Sequence, residues 1–114
     1  MIKDKTLMSI IMNCHNGEKY LYKSISSVIS QSYKNWELIF WDNNSTDTSE
    51  KIVRKFNDSR IKIYKSNNFI KLYKARNLAI EKASGDFVSF LDTDDFWQND
   101  KIEKQISFFL QNDD

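Results

Sequence analysis

The chain has 114 residues, enough for one domain with a real core but short for a typical enzyme. Its 17 basic and 16 acidic residues interleave along the sequence, which excludes the one-sided basic face of a nucleic-acid binder. The single cysteine, Cys14, excludes an internal disulfide and fits a reducing compartment, and no apolar stretch is long enough for a signal-peptide core or a membrane span. The location expected on these grounds is the cytoplasm, with any membrane work done peripherally at the inner face of the cell membrane.

Leu7 to Met12 is a nearly continuous apolar run, of the kind buried on both faces of a parallel sheet. From Glu18 the period changes, and Leu21, Ile25, Val28 and Ile29 share one face of a helix predicted to run to about Ser32. Trp36 to Trp41 is a second strand. Asp42 to Thr48 is a polar turn, and Asp47 with Glu50 has the spacing of a capping box for a short helix carrying Ile52, Val53 and Phe56. Ile61 to Tyr64 alternates, as a third and more exposed strand does. Lys71 to Ser84 reads as helical, with Leu72, Ala75, Ala79 and Ala83 inward and Gly85 as its C-terminal cap. Asp86 to Leu91 reads as a buried fourth strand. Asp100 and Glu103 predict another capping box, opening a helix with Ile102, Ile106, Phe109 and Leu110 on one face. This alternation predicts a three-layer α/β/α sandwich with a mainly parallel, Rossmann-like sheet and right-handed crossovers. With no repeat or linker, residues 1–114 read as one domain, ending in a helix and two aspartates, Asp113 and Asp114, as at a domain seam.

In an open α/β sheet, ligands bind outside the carboxyl ends of the strands. The first strand ends in Asn13-Cys14-His15-Asn16-Gly17-Glu18, the second in Asp42-Asn43-Asn44-Ser45-Thr46-Asp47, and the fourth in Asp92-Thr93-Asp94-Asp95. All three are rich in hydrogen-bonding groups. The carboxylates of Asp92, Asp94 and Asp95 repel one another unless a cation intervenes, and oxygen ligands at this density suit Mg²⁺ or Mn²⁺ carrying a phosphate-bearing substrate. An acidic helix N-terminus is the plainer reading of the same residues. His15 has no second His or Cys at zinc-ligand spacing; its position makes it a planar lid for a base, or simply a surface histidine. Asp42 either caps a turn or accepts an N–H from a uracil-like base. Arg76 either balances carboxylates or a diphosphate, or forms a surface ion pair. Cys14 reads as a buried filler rather than a nucleophile, and Trp36, Trp41 and Trp97 as core or edge aromatics. Asp92, Asp94 and Glu103 have EF-hand spacing, but Phe96 and Trp97 stand where that loop needs a ligand and a glycine.

Four segments in register resemble the N-terminal, nucleotide-sugar-binding half of a family 2, GT-A fold glycosyltransferase. Ser9 to Leu21 resembles the opening strand and turn, usually VSIIIPTYNGEKYL, and Ser24 to Tyr33 the first helix. Glu37 to Asp47 resembles EIIVVDDGSTD. Lys74-Ala75-Arg76-Asn77 through Gly85 to Asp95 resembles the ARN…GDFVxFLDxDD block. Three departures stand out: the family's Pro-Thr-Tyr is Asn13-Cys14-His15 here, the second Asp of the strand-two pair is Asn43, and the next Gly is Asn44.

The resemblance implies that Asn13, His15, Asn16 and Asp42 hold the base, with Glu18, Lys71 and Arg76 around the nucleotide. Asp92, Asp94 and Asp95 form the DxD-type site, Asp92 and Asp94 touching the nucleotide, with Asp94 as principal ligand of a divalent Mn²⁺ or Mg²⁺ and Asp95 next. It implies an inverting transfer from a UDP-sugar or other NDP-sugar to a glycan, lipid-linked or other hydroxyl acceptor in polysaccharide biosynthesis, with a homodimer as one assembly. The acceptor-activating base is expected beyond Asp114, so this chain is expected to be truncated before the acceptor-binding part. The alternatives are a catalytically incomplete nucleotide-binding module and, remotely, a haloacid-dehalogenase-like phosphatase, in which the motif sits on an early strand with further acids downstream.

Overall fold

The computed structural model describes residues 5–112, so Asp113 and Asp114 lie outside the described residues. Strands and helices alternate throughout: β1 (Met8–Cys14), α1 (Glu18–Ile29), β2 (Trp36–Asp42), α2 (Ser49–Lys55), β3 (Ile61–Lys65), α3 (Leu72–Glu81), β4 (Phe87–Phe90) and α4 (Lys101–Gln111). The four strands form one parallel sheet in the order β3-β2-β1-β4. The two central strands are the apolar runs, because each must be covered on both faces.

Alternation along β1 and β2 divides the core in two. Met8, Ile10, Met12, Leu38 and Phe40 meet Leu21, Ile25 and Val28 of α1, Val53 of α2, and Ile102 and Ile106 of α4. Ile11, Ile39 and Trp41 point the other way, onto Ala75 and Ala79 of α3. Small residues on α3 let that helix lie close over β1 and β2. The result is the expected three-layer sandwich.

Several local expectations are corrected. β4 is an edge strand rather than a buried one, with Val88 and Phe90 exposed, since α3 lies over β1 and β2 and leaves that face of β4 open. Helix α1 stops at Ile29 rather than near Ser32, and α3 spans Leu72–Glu81, with Leu72 exposed. Leu110 is exposed as well, leaving Phe109 to pack on the core beside Ile102 and Ile106. Neither capping box forms. Glu50 pairs instead with Arg54 and Lys65, and Asp47 Oδ1 accepts the Ser49 N–H. At α4 the side chain that reaches the first turn is the buried Gln31, whose Oε1 accepts the Ile102 N–H at 2.9 Å while its Nε2 donates to the Ser27 and Gln98 carbonyls. Asp100 is drawn to Lys104.

Gly85 is not a helix cap either. An added Cβ there would stand 2.5 Å from Ser9 Oγ and 2.8 Å from the Leu7 carbonyl oxygen, so it is a close-approach glycine where the turn after α3 crosses β1. That turn is organised by Glu37, which is 6% exposed at the start of β2. Its carboxylate accepts the Ser9 hydroxyl and the Ser84 N–H, both at 2.6 Å, and the Ser84 hydroxyl. Ser9 Oγ in turn accepts the Gly85 N–H at 2.8 Å.

Burial alone pushes the pKa of Glu37 up. The Ser84 and Ser9 hydrogen bonds and the Lys62 charge together outweigh it, so the carboxyl lies below the ordinary glutamate range. Because the folded form binds its proton less readily than the unfolded form, the contribution is complete above the ordinary glutamate range and is lost as pH falls through the lower folded value. Glu37→Gln is expected to cost about 1–3 kcal/mol at neutral pH, and to flatten the acid limb of stability, in urea titrations run from neutral to acid pH.

Candidate functional site at the strand ends

β1 and β2 pair over their full lengths, from Met8 opposite Trp36 to Cys14 opposite Asp42. Both strands therefore end at one level, and the loops that follow are laced together. The Asn43 N–H donates to the Cys14 carbonyl at 2.7 Å. Asn16, with φ of 54°, accepts the Thr46 N–H at 2.8 Å and the Asp47 N–H at 3.3 Å on Oδ1, and its own N–H donates to Ser45 Oγ. The Glu18 N–H donates to Asp47 Oδ2, while Glu18 Oε1 accepts from the N–H and hydroxyl of Thr48. Desolvation works against the Asp47 carboxylate, but the Ser49 hydroxyl and N–H and the Glu18 N–H outweigh it and hold its pKa low. Asn16 and Glu18 are thus committed to joining the two loops.

Asp42 is 1% exposed, and its Oδ1 accepts the Ser45 N–H at 3.1 Å, so here it closes a turn. Asn44 takes φ of 55°, a left-handed conformation that asparagine tolerates, which explains how it stands in the resembling family's glycine position. Cys14 is buried, its thiol pushed up by desolvation, as suits a filler. Asn13, one residue before the end of β1, is half-buried, and its Oδ1 is sequestered with no hydrogen-bond partner among the described residues.

Asn43 does more than its position suggests. Its Nδ2 donates to the Ile70 carbonyl at 2.7 Å and its Oδ1 accepts the Ile70 N–H at 3.0 Å, pinning the loop between β3 and α3. Its carbonyl oxygen accepts from Nδ1 of His15 at 2.7 Å, which places a hydrogen on Nδ1. The exposed His15 ring stands edge-on to Phe69, with centroids 4.7 Å apart. Sequence reasoning missed Asn43 and Phe69, because an asparagine in a turn and an aromatic in a loop carry no motif.

The acid cluster lies on the other side of β1. Leu91 N–H continues the sheet onto the Ile11 carbonyl at 3.0 Å, and Ser24 of α1 donates its hydroxyl to the Asp92 carbonyl. A Cβ on Gly17 would meet Cys14 Sγ at 3.0 Å and Thr93 at 3.2 Å, so this glycine lets the first turn and the acidic turn touch. Asp92, Asp94 and Asp95 are all exposed. Asp95 Oδ1 accepts the Phe96 N–H, whereas the carboxylates of Asp92 and Asp94 have no hydrogen-bond or ion-pair partner among the described residues. Among the described residues no group of three or more His, Cys, Asp or Glu side chains is arranged to hold a metal ion by itself. Lys71 is exposed just before α3, and Arg76 lies over the Phe90 ring at 5.4 Å rather than on a carboxylate. A cavity of about 760 Å³ beside Lys5, Lys34 and Glu103 opens at the opposite strand ends, away from these groups.

The sequence model for Glycosyl transferase family 2 matches residues 9–114. An uncharacterized glycosyltransferase of Haemophilus influenzae is 47% identical over 108 residues, 93% of this chain and 43% of that protein. An Escherichia coli protein, UDP-Glc:alpha-D-GlcNAc-diphosphoundecaprenol beta-1,3-glucosyltransferase WfgD, is 47% identical over 110 residues, 96% of this chain and 43% of that protein. The crystal structure of Staphylococcus aureus TarS 1–349 in complex with UDP-GlcNAc superposes with a TM-score of 0.86 at 27% identity, covering 93% of this chain and 32% of that one. The chain shares the GT-A fold with this solved neighbour. The chain thus spans under half the length of the curated relatives it matches. Among the described residues no helix is long and apolar enough to cross a membrane.

The lacing role of Asn16 sets a test. Asn16→Ala removes the acceptor of two loop N–H groups and places a Cβ residue without local hydrogen bonds at positive φ, so a loss of about 2 kcal/mol in denaturant unfolding is expected. Asn16→Gly, which restores the backbone freedom alone, is expected to recover part of that loss.

Proposed function

The chain belongs to glycosyl transferase family 2, and from that premise we propose that its strand ends bind the nucleoside diphosphate of a sugar donor through a divalent metal. The observation that carries this reading is the pair of uncommitted carboxylates, Asp92 and Asp94, held at the end of β4 against the β1–α1 turn. A buried or paired acid has its charge answered by the protein; these two have theirs answered only by solvent, which a bound cation can replace. Asp94 is the principal metal ligand with Asp95 second, and Asp92 faces the ribose. Asn13 and His15 lie toward the base, while Asp42, Asn16 and Glu18 hold the floor and walls. Lys71 and Arg76 are the nearby cations for the diphosphate. Mn²⁺ or Mg²⁺ bound there would neutralise charge on the departing nucleoside diphosphate.

A UDP-sugar is the donor favoured by the relatives, since WfgD is named for UDP-Glc and TarS was crystallised with UDP-GlcNAc. The name of WfgD also makes a lipid-diphosphate-linked sugar the favoured acceptor class, and polysaccharide assembly at the inner face of the membrane the favoured setting. In the proposed transfer an acceptor hydroxyl attacks the anomeric carbon, the bond to the diphosphate oxygen breaks, and the configuration inverts. That transfer is proposed for the protein as a whole; donor binding is what the described residues support.

UDP is expected to bind in the presence of Mn²⁺, and Asp94→Ala to weaken that binding at least tenfold by calorimetry, as loss of a charged ligand contact predicts. A folded sample with no metal-dependent affinity for UDP would refute the reading.

A further inference from the structure

We infer that Phe69 and His15, held together by Asn43, form a ring wall against which the nucleobase stacks, with Phe69 supplying the broad face. The inference rests on the nucleotide-binding reading above and adds to it a residue that lies in no motif. Phe69 is 60% exposed, an apolar ring left in solvent although its loop is pinned. The pinning is specific: Asn43 takes both the N–H and the carbonyl of the next residue, Ile70, in a paired amide contact. The same Asn43 holds His15 through its backbone oxygen, so one residue fixes both rings from two different loops. A ring with no core role, yet held this firmly at the ligand-binding edge of a sheet, is placed for a ligand.

Position identifies the chemistry. His15 follows β1 and Phe69 follows β3, so the ring pair stands over the end of β2 between them. The free carboxylates follow β4, two strands away from β2. At about 4.8 Å per strand the two ends are separated by roughly 10 Å across the strand ends. A planar group at one end and a metal-bound diphosphate at the other describe an extended nucleoside diphosphate. Aromatic stacking accepts any base, so the wall holds the base without choosing it. The pairing also depends on the amide of Asn43. An aspartate there has no N–H for the Ile70 carbonyl and sets a carboxylate against it.

Calorimetry with Mn²⁺ tests this using two probes, UDP and inorganic pyrophosphate, which lacks a base. Phe69→Ala is expected to weaken UDP about tenfold and to leave pyrophosphate unchanged, with Phe69→Trp restoring UDP affinity. Asn43→Asp is expected to weaken UDP in the same selective way. In saturation-transfer NMR the uracil protons are expected to receive magnetisation from protein aromatic protons, and to lose most of it in Phe69→Ala. If Phe69→Ala binds UDP like wild type while Asp94→Ala does not, the wall is wrong and the metal-site reading stands. Equal loss of UDP and pyrophosphate in Phe69→Ala also overturns the wall. If wild type binds UDP in no metal-dependent way, both readings fall together.

Discussion

The parallel register between β1 and β2 is the constraint on which the site depends. Seven consecutive residues pair, and the last pair sets Cys14 opposite Asp42. A slip of one residue would send every side chain of one strand to the wrong face, exchanging the α1 side of the core for the α3 side. The register is therefore held by burial on both faces. Its consequence is local: two polar turns emerge side by side and can satisfy each other. Asn16 bonds into the second turn, Asp47 bonds back to the first, and the Asn43 N–H closes the seam at the Cys14 carbonyl. The candidate groups at these strand ends stand on this joined base, so their geometry is inherited from the core.

Much of the fold was legible because period and punctuation agree. The apolar runs of β1 and β2, the helical stripe of α1 and the small-residue stripe of α3 each have one reading. The errors fall where tertiary context outweighs the local pattern. Asp86 to Leu91 reads as a buried strand, yet its place at the edge leaves Val88 and Phe90 in solvent. Spacing favours a capping box at Asp100 and Glu103, but Gln31, far away in sequence, reaches the Ile102 N–H first. Gly85 sits where a helix cap is common and serves the approach of Ser9 instead. Local signals identify elements well; they do not say which distant side chain arrives to complete them.

The departures from the resembling family's usual motif have physical answers in the same region. Asn44 replaces a glycine at positive φ, one of the few substitutions such a conformation accepts. Asn43 replaces an acid with a group that both donates and accepts, and both capacities are used on Ile70. Histidine at residue 15 gives up the breadth of a tyrosine ring, and Phe69 supplies a second ring at its edge. The changes form a connected set, since Asn43 touches the residues on either side of the exchange.

The two ends of the sheet show why composition alone cannot separate an acid satisfied inside the fold from one left facing solvent. Glu37, at the start of β2, is surrounded by Ser9 and Ser84 donors, and its charge is answered inside the fold. Asp92 and Asp94, beyond β4, are exposed and have no such donors. In sequence all three are carboxylates beside apolar runs. What distinguishes them is whether the surrounding chain satisfies the charge, and that is decided by contacts between residues far apart in sequence. A satisfied carboxylate stabilises the native state and resists a ligand, because binding would break bonds already made. An exposed one, placed at a strand end on a rigid base, is met by water, which a ligand can displace. Exposed Glu81 and Glu103 also lack partners among the described residues, so the acidic cluster is set apart by its place at a strand end rather than by the partners it lacks.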